Sequence, residues 1–163
     1  MDQIKKESVL TRYSSINELS TADQFLLKEA KHAAEKAYAP YSKFNVGCAL
    51  LLENGVLIRG SNQENIAYPS GLCAERVAIF YAGSEHPDVP VLTMAITVKA
   101  QNYIVDEPIM SCGACLQSIS EYEMKFEKPI RMILQGETGE IFISENGTRA
   151  FLPFQFFVKQ LKL

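Results

Sequence analysis

Residues 71–76 read Gly-Leu-Cys-Ala-Glu-Arg, and residues 111–115 read Ser-Cys-Gly-Ala-Cys. Each segment stands where a loop gives way to an apolar pattern with helical spacing, so each marks the start of a helix. Cys112 and Cys115, three residues apart on a first helical turn, lie on one face and can share a metal ion. Cys73, at the other helix start, can bring a third thiolate to the same place. The two segments therefore predict that two helix N-termini meet at a metal site.

The remaining patterns predict strands and helices that alternate along the chain. Ser20 or Thr21 offers an N-cap for the first helix, and Asn54-Gly55 is a strong hairpin signal between two strands. This order predicts one sheet with helices on both faces. Residues 1–20 form an arm of uncertain role that could add a strand or dock loosely, and residues 21–163 form a single domain. The predicted helices cover 21–38, 73–82, a stretch from 112 and the end after Pro153; the predicted strands cover 44–52, 56–60, 91–98, 130–134 and 140–144.

Composition limits the classes of function. The chain has 163 residues, 47% hydrophobic and 21% charged, as expected for one soluble domain with a sizeable core. Its formal net charge of -3 argues against a mainly electrostatic grip on nucleic acid. No apolar run approaches the roughly 20 residues that a membrane helix needs, and residues 1–7 lead into no signal-peptide core. We therefore expect a cytoplasmic protein whose thiols stay reduced.

The four cysteines admit other interpretations. Two disulfides are disfavoured in a reducing compartment, and Cys48, in an apolar run, fits a small buried hydrophobic residue. A redox Cys-x-x-Cys pair requires neither a third cysteine nor an adjacent glutamate. The two histidines, His32 and His86, are less favoured as a fourth ligand, because one lies among lysines and the other in a loop. Three thiolates with an open position are typical of catalytic zinc.

Glu75 gives this site its expected reactivity. Zinc lowers the pKa of bound water to about 7, and a nearby carboxylate can take that proton and pass it to a leaving group. A glutamate at this position could instead face solvent, but its place two residues after Cys73 favours the functional interpretation. Arg76 is a candidate counter-charge, since zinc with three thiolates carries a net negative charge.

The chain also resembles a known family, the cytidine deaminases of the small homotetrameric type with three cysteine ligands. The resemblance covers about residues 22–157 and rests on four motifs in the family's order. They lie at 41–47 (Tyr-Ser-Lys-Phe-Asn-Val-Gly), 62–69 (Asn-Gln-Glu-Asn-Ile-Ala-Tyr-Pro), the cysteine segments 73–76 and 112–115, and 152–156. It implies a three-layer α/β/α sandwich around one mixed sheet of about five strands.

The resemblance also implies roles for individual residues. Zinc would be bound by Cys73, Cys112 and Cys115, one ion per subunit, and Glu75 would carry protons. Arg76 would hydrogen-bond the thiolates. The substrate would be a small nucleoside, and the protein a homotetramer with active sites shared between subunits. The residues implied to lie at the substrate are Phe44 and the Ala74 backbone at the base, Asn62 and Glu64 at the sugar hydroxyl, and Tyr68 and Phe156 near the shared site.

Two positions depart from the family pattern. Ser111 stands where a proline usually precedes the Cys-x-x-Cys pair, and serine could start the helix as an N-cap. Leu116 stands where an arginine usually follows, which removes a charge at a possible surface or subunit contact. These departures bear on substrate preference and assembly more than on the chemistry.

The resemblance implies hydrolytic deamination of cytidine and deoxycytidine in pyrimidine salvage. One alternative is the same chemistry on another aminopyrimidine nucleoside or antibiotic. Another is a zinc- or nucleoside-binding module without catalysis, which could dispense with Glu75. Editing of RNA or DNA is disfavoured by the acidic balance and the absence of a basic arm.

Overall fold

A computed structural model describes residues 1–156 of the chain. Short 3-10 helices at Ile16–Glu18, Tyr68–Ser70 and Gly147–Ala150 accompany the main elements. The sequence predicted the type and approximate place of every strand from β2 onward and of all three α-helices. These elements are β1 (Thr11–Tyr13), α1 (Thr21–Ala34), β2 (Phe44–Leu52), β3 (Leu57–Ser61), α2 (Ala74–Glu85), β4 (Val91–Ala100), α3 (Gly113–Phe126), β5 (Arg131–Gln135) and β6 (Ile141–Ser144).

Within residues 1–156 the strands form one mixed sheet of six strands in the order β1-β6-β5-β4-β2-β3. Strands β4 and β5 are parallel, because α3 carries the chain back across the sheet between them, whereas the other paired strands are antiparallel. The predicted sheet of about five strands gains β1, in which Thr11–Tyr13 pairs with Ile141–Ile143 of β6. The N-terminal arm thus supplies an edge strand.

Successive side chains of the central strands point to opposite faces of the sheet, which divides the hydrophobic core into two halves. Cys48 and Leu50 of β2 face α2 and α3, together with Met94 and Ile96 of β4. The intervening Ala49 packs on the other side against α1. The structure therefore has three layers, as predicted, with α2 and α3 together on one face of the sheet.

Helix α1 begins as its sequence predicts but ends earlier. The Ser20 hydroxyl accepts a hydrogen bond from Asp23 N at 3.1 Å, which caps the first turn. The predicted end at residue 38 is wrong, because Tyr38 pairs with a distant segment instead of continuing the helix. Tyr38 N donates to Asn62 O at 3.0 Å, and Glu64 N donates to Tyr38 O at 2.8 Å. The segment after α1 thereby anchors the stretch that holds two predicted substrate-binding residues, Asn62 and Glu64.

The C-terminal segment departs from the predicted helix. Residues 153–156 are not helical, and the remainder of that predicted helix lies outside the described residues. Among residues 1–156, the α-helices are too short or too polar to cross a lipid bilayer.

Candidate metal centre and active site

The N-termini of α2 and α3 place three cysteines together. Cys73 is the N-cap of α2, Cys112 is the N-cap of α3, and Cys115 follows in the first turn of α3. Their Sγ atoms all lie within 4.8 Å of one another. The predicted proximity of the three thiols is confirmed.

The donor set fits zinc. A tetrahedral ion with Zn–S bonds of about 2.3 Å holds its sulfurs about 3.8 Å apart, so the thiols need only a small adjustment. Cys48 is fully buried in the core and is not part of the group. His32 lies on α1, across the sheet, with its Nδ1 3.5 Å from Glu29. His86 caps the far end of the 12-residue α2, about 20 Å from Cys73 at 1.5 Å per residue. Neither histidine can complete the site.

The three thiols differ in how readily they lose a proton. A hydrogen bond from the Cys115 thiol, with help from the Arg76 guanidinium, lowers the pKa of Cys73 to about 5. The same shared proton, together with burial, raises the pKa of Cys115. The helix N-terminus also favours a negative charge on the Cys73 sulfur. The site is therefore prepared to present at least one thiolate at neutral pH.

Arg76 lies beside this thiolate, as expected for a counter-charge. Its Nη2 is 3.5 Å from Cys73 Sγ. The hydrogen bond to Cys73, together with the negative charge of that sulfur, raises the pKa of the guanidinium, which therefore stays protonated. Its Nε is buried and has no hydrogen-bond partner within residues 1–156.

Glu75 occupies the first turn of α2 and is only 5% exposed. Burial raises the pKa of its carboxyl, and the negative charge on Cys73 adds to this effect. Contacts with its own backbone amide and with the Ser111 and Cys115 side chains offset the increase only in part. A carboxyl with few hydrogen-bond partners in a dry position can hold or release a proton nearer to neutral pH than an exposed one. This is the environment that a proton carrier needs.

A groove of about 440 Å³ opens beside Cys73. Its lining includes three predicted substrate-binding residues, Asn62, Glu64 and Tyr68. Arg76, the predicted counter-charge to the thiolates, also lines the groove. Tyr68 is mostly exposed and its ring meets Tyr41 edge to face, with centroids 6.4 Å apart. This chain by itself thus brings the predicted sugar-binding side chains to the edge of the candidate metal centre.

Both polar residues of the groove are held by backbone contacts. Asn62 Oδ1 accepts from Val46 N at 2.7 Å, and Asn62 Nδ2 donates to Phe44 O at 2.9 Å. Glu64 Oε2 accepts from Tyr41 N at 2.9 Å and Ser42 N at 3.2 Å. Both of these backbone contacts use Oε2, so Oε1 keeps a lone pair for another donor.

The other predicted contact residues have different placements. Phe44 begins β2 next to Asn62, and Ala74 is fully buried at the start of α2. Strand β3 approaches α2 so closely there that a Cβ on Gly60 would lie 2.5 Å from Ala74 O. Phe156 is exposed, and its carbonyl accepts from Gln117 Nε2 at 3.2 Å. Neither phenylalanine lines the groove as one subunit forms it.

At the two positions that depart from the family pattern, Ser111 and Leu116, the predictions from sequence are wrong. The N-cap of α3 is Cys112, so Ser111 stands one residue before the helix. Leu116 is 6% exposed and belongs to the apolar core between the sheet and α3, so it makes no surface contact. Tyr41 and Ser42 belong to the motif at 41–47 but had no predicted role; their backbone amides hold Glu64.

Comparison with known proteins agrees with this geometry. The sequence profile described as the cytidine and deoxycytidylate deaminase zinc-binding region matches residues 20–127. A cytidine deaminase of Halalkalibacterium halodurans is 43% identical over 123 residues, which cover 75% of this chain and 88% of the relative. The chain belongs to the zinc-dependent cytidine and deoxycytidylate deaminase family.

Solved structures agree in fold. The cytidine deaminase of Burkholderia pseudomallei aligns with a TM-score of 0.71 at 32% identity, covering 85% of this chain and all of that one. The cytidine deaminase of Mycobacterium tuberculosis aligns with a TM-score of 0.61 at 27% identity, covering 82% and 96%. Both the core sheet and the helix pair that carries the cysteines therefore belong to a fold shared with these enzymes.

Proposed function

We propose that this protein catalyses the zinc-dependent hydrolytic deamination of cytidine and deoxycytidine, giving uridine or deoxyuridine and ammonia. The observation that carries the proposal is the convergence of three thiols at two helix N-termini with a buried Glu75 beside them. The 43% identity to a cytidine deaminase supports the choice of reaction. The groove beside Cys73 supports a nucleoside as the substrate.

In this proposal Cys73, Cys112 and Cys115 hold the ion. When bound, zinc supplies a water of lowered pKa as the nucleophile. Glu75 would take one proton of the attacking water and deliver it to N3 of the pyrimidine, and would then pass the water's second proton to the departing amine. Overall a C4–O bond forms and the C4–N4 bond breaks, so that water is consumed and ammonia leaves. Arg76 offsets the negative charge of the thiolates.

The groove residues position the nucleoside. Glu64 accepts a hydrogen bond from a sugar hydroxyl through its less occupied oxygen, Oε1. Asn62 adds its second amide hydrogen or second carbonyl lone pair, because a primary amide has two donors and two acceptor sites. Phe44 packs against the base, and the backbone at Ala74 contacts it. Both polar side chains are held in place before the substrate arrives, which lowers the entropic cost of binding.

The proposal includes assembly and location. A homotetramer would bring Tyr68 and Phe156, exposed in one subunit, to active sites shared between subunits. The protein would act in the cytoplasm, on free nucleosides of the pyrimidine salvage route, without nucleic-acid or membrane partners. Measurement of the molar mass in solution tests the assembly, and a mass of one subunit would contradict a shared site.

The reaction is tested by following the change in ultraviolet absorbance as cytidine is converted. Zinc is measured in the same sample. We expect conversion of cytidine and deoxycytidine, with about one zinc per subunit. Comparison of cytosine, cytidine and cytidine monophosphate tests the sugar contacts, and we expect cytidine to be preferred. Release of ammonia only from another aminopyrimidine, or only from oligonucleotides, would replace the proposed substrate. Full zinc without any ammonia release would favour a silent binding module.

The fourth cysteine provides a matched control for the metal site. We expect Cys112→Ser to lose most of its zinc and its activity, because it removes one of three thiolates. Cys48→Ala should keep both, since Cys48 is buried in the core and burial raises the pKa of its thiol. Zinc per subunit, measured by atomic spectrometry, checks both variants. Equal zinc in Cys112→Ser and the parent chain would contradict the proposed ligand set.

A further inference from the structure

Residues 154–156 have an unusual pattern of exposure. Phe154 and Phe156 are 65% and 55% exposed, whereas Gln155 between them is only 8% exposed. Two aromatic rings therefore face outward while an amide faces inward, which is the reverse of what burial of apolar surface favours. A specific contact of Gln155 is needed to hold the segment this way round.

Gln155 is held by a chain of hydrogen bonds that ends on a buried carboxylate. Its Nε2 donates to Thr148 Oγ1 at 2.5 Å, and the Thr148 hydroxyl donates in turn to Glu123 Oε2 on α3. Thr148 is fully buried, and Glu123 is 9% exposed. Hydrogen bonds in such a chain polarise one another, and those that end on a carboxylate are among the stronger ones. The chain therefore fixes the inward direction of the Gln155 side chain.

A second glutamine holds the end of the same segment. Gln117, on α3, donates from Nε2 to Phe156 O at 3.2 Å. Within residues 1–156, the backbone amides at 154–156 make no hydrogen bond to another backbone group, and the segment is not helical. Because both of its aromatic rings are also exposed, the position of this segment on α3 depends on the two glutamine contacts.

We propose that Gln155 is a positioning residue, which, together with Gln117, docks residues 154–156 on α3 and so sets the place of the Phe156 ring at the active site. This inference rests on the proposed function, because that function puts Phe156 near the nucleoside. An irregular segment holds a ring in one place only when it is fixed to a rigid element. Helix α3, with 14 residues, is such an element.

The effect of this docking should appear in substrate binding. A ring that is already in place loses less conformational freedom on binding than a ring on a loose segment does. The ring of Phe156 transfers no proton, so the chemical step should be nearly unchanged. Loss of the Gln155 contact should therefore raise KM and leave kcat almost constant, whereas general damage to the fold would lower the amount of active enzyme.

Gln155→Met removes the amide and keeps a long side chain that fills the same buried place. We expect it to raise KM for cytidine about fivefold, with kcat within about twofold of the parent and zinc unchanged. Phe156→Ala should raise KM at least as much, and the double variant should match Phe156→Ala alone, because Gln155 acts through that ring. Additive increases in the double variant, or an unchanged KM in either single variant, would overturn the proposal.

Gln24→Met is the matched control for these measurements. Gln24 also donates through Nε2, to Leu19 O at 3.0 Å, but it lies on α1, on the other face of the sheet. This variant therefore loses a comparable glutamine hydrogen bond away from the C-terminal segment. We expect its KM to equal that of the parent, and a KM raised as much as in Gln155→Met would overturn the proposal.

Limited digestion with chymotrypsin tests the docking without relying on turnover. This protease cleaves after large apolar residues and needs a locally detached chain, so cleavage after Phe154 and Phe156 reports how often the segment leaves α3. The full zinc-loaded chains are used, and mass spectrometry identifies the sites. We expect cleavage there to be about fivefold faster in Gln155→Met and Gln117→Met than in the parent, and unchanged in Gln24→Met.

The two measurements separate failure of the docking from failure of the reaction. Equal cleavage rates in the parent and in Gln155→Met would overturn the inference. Absence of cytidine turnover in the parent chain, with the faster cleavage of Gln155→Met intact, would count against the proposed reaction instead.

Discussion

Two glutamates are buried on the same face of the sheet, and the number of their hydrogen bonds differs sharply. Glu123, near the end of α3, accepts through Oε1 from Ile130 N at 2.9 Å and Thr148 N at 3.0 Å. Its Oε2 accepts from the Thr148 hydroxyl. Glu75, in the first turn of α2, has contacts with its own backbone amide and with the Ser111 and Cys115 side chains, and burial outweighs their lowering of its pKa. The two residues are 9% and 5% exposed, so burial alone does not separate them.

The difference distinguishes a carboxylate that serves the fold from one available for chemistry. Glu123 ties α3 to the start of β5 and to the 3-10 helix at Gly147–Ala150. The backbone fits closely around it, because Gly147 has φ +58° and a Cβ there would lie 1.8 Å from Glu123 Oε1. Three of the four acceptor sites of Glu123 are therefore occupied by groups of the fold. The carboxyl of Glu75 instead contacts the Cys115 thiol beside the candidate metal site.

The largest expected effect is on turnover, from Glu75→Ala. We expect kcat to fall at least about 100-fold, or about 2.7 kcal/mol of transition-state stabilisation, because general acid-base catalysis contributes roughly 10²–10⁴-fold. Zinc per subunit should be retained, since Glu75 is not a thiolate ligand. Steady-state kinetics with cytidine and a zinc assay check both. An unchanged kcat in zinc-loaded Glu75→Ala would remove the assignment of Glu75 as the proton carrier.

Glu123→Ala should affect stability instead. We expect the free energy of unfolding to fall by about 2–4 kcal/mol, because two backbone amides and a hydroxyl would lose their acceptor in a buried position. Glu123→Gln should lose less, since an amide oxygen still accepts. The kcat of the folded fraction should stay within about threefold of the parent value. Urea unfolding and kinetics check these values, and a loss of turnover in fully folded Glu123→Ala would break the comparison.

Glu64 lies between Glu123 and Glu75 in how many of its acceptor sites the fold occupies. Its Oε2 accepts hydrogen bonds from the backbone, and its Oε1 is available. Hydrogen bonding from Ser42, followed by the Tyr41 amide, lowers the pKa of Glu64 below its usual 4.5. A folded-state pKa below the unfolded value stabilises the fold above pH 4.5, and this stabilisation is lost as pH falls through the folded pKa. The melting temperature of Glu64→Gln should therefore fall less than that of the parent between pH 6 and pH 3.

The same substitution should raise KM for cytidine several-fold, because a carboxylate accepts a stronger hydrogen bond than an amide does. Glu18→Gln is a matched control, since Glu18 lies on the short helix at Ile16–Glu18, far along the chain from the groove. Identical KM values for parent and Glu64→Gln would remove Glu64 from the sugar contact, although its effect on acid stability could remain.

Local sequence signals predicted the parts of the molecule that depend on neighbouring residues. Short-range patterns predicted three features that the structure confirms: the apolar strand Phe44–Leu52, the cap at Ser20 and the cysteine spacing at the start of α3. The three-layer arrangement also follows, because the strands and helices alternate. The roles assigned to Glu75 and to the groove residues remain predictions that the experiments above address.

The features that escaped prediction depend on contacts distant in sequence. The early end of α1 follows from pairing of Tyr38 with Asn62 and Glu64, and no signal near Tyr38 identifies those partners. Glu123 looks like an ordinary helix residue, because its partner Thr148 lies 25 positions away. Ser111 was predicted to be an N-cap, but Cys112 takes that position at the start of α3.

The most direct test compares Glu75→Gln with Glu123→Gln in one assay, at equal concentrations of folded, zinc-loaded protein. The measured quantity is kcat for cytidine. We expect kcat to fall at least about 100-fold for Glu75→Gln, because a general acid-base group is removed, and to stay within about threefold of the parent value for Glu123→Gln. Equal losses in the two variants, or a larger loss for Glu123→Gln, would contradict the division of roles between the two buried carboxylates.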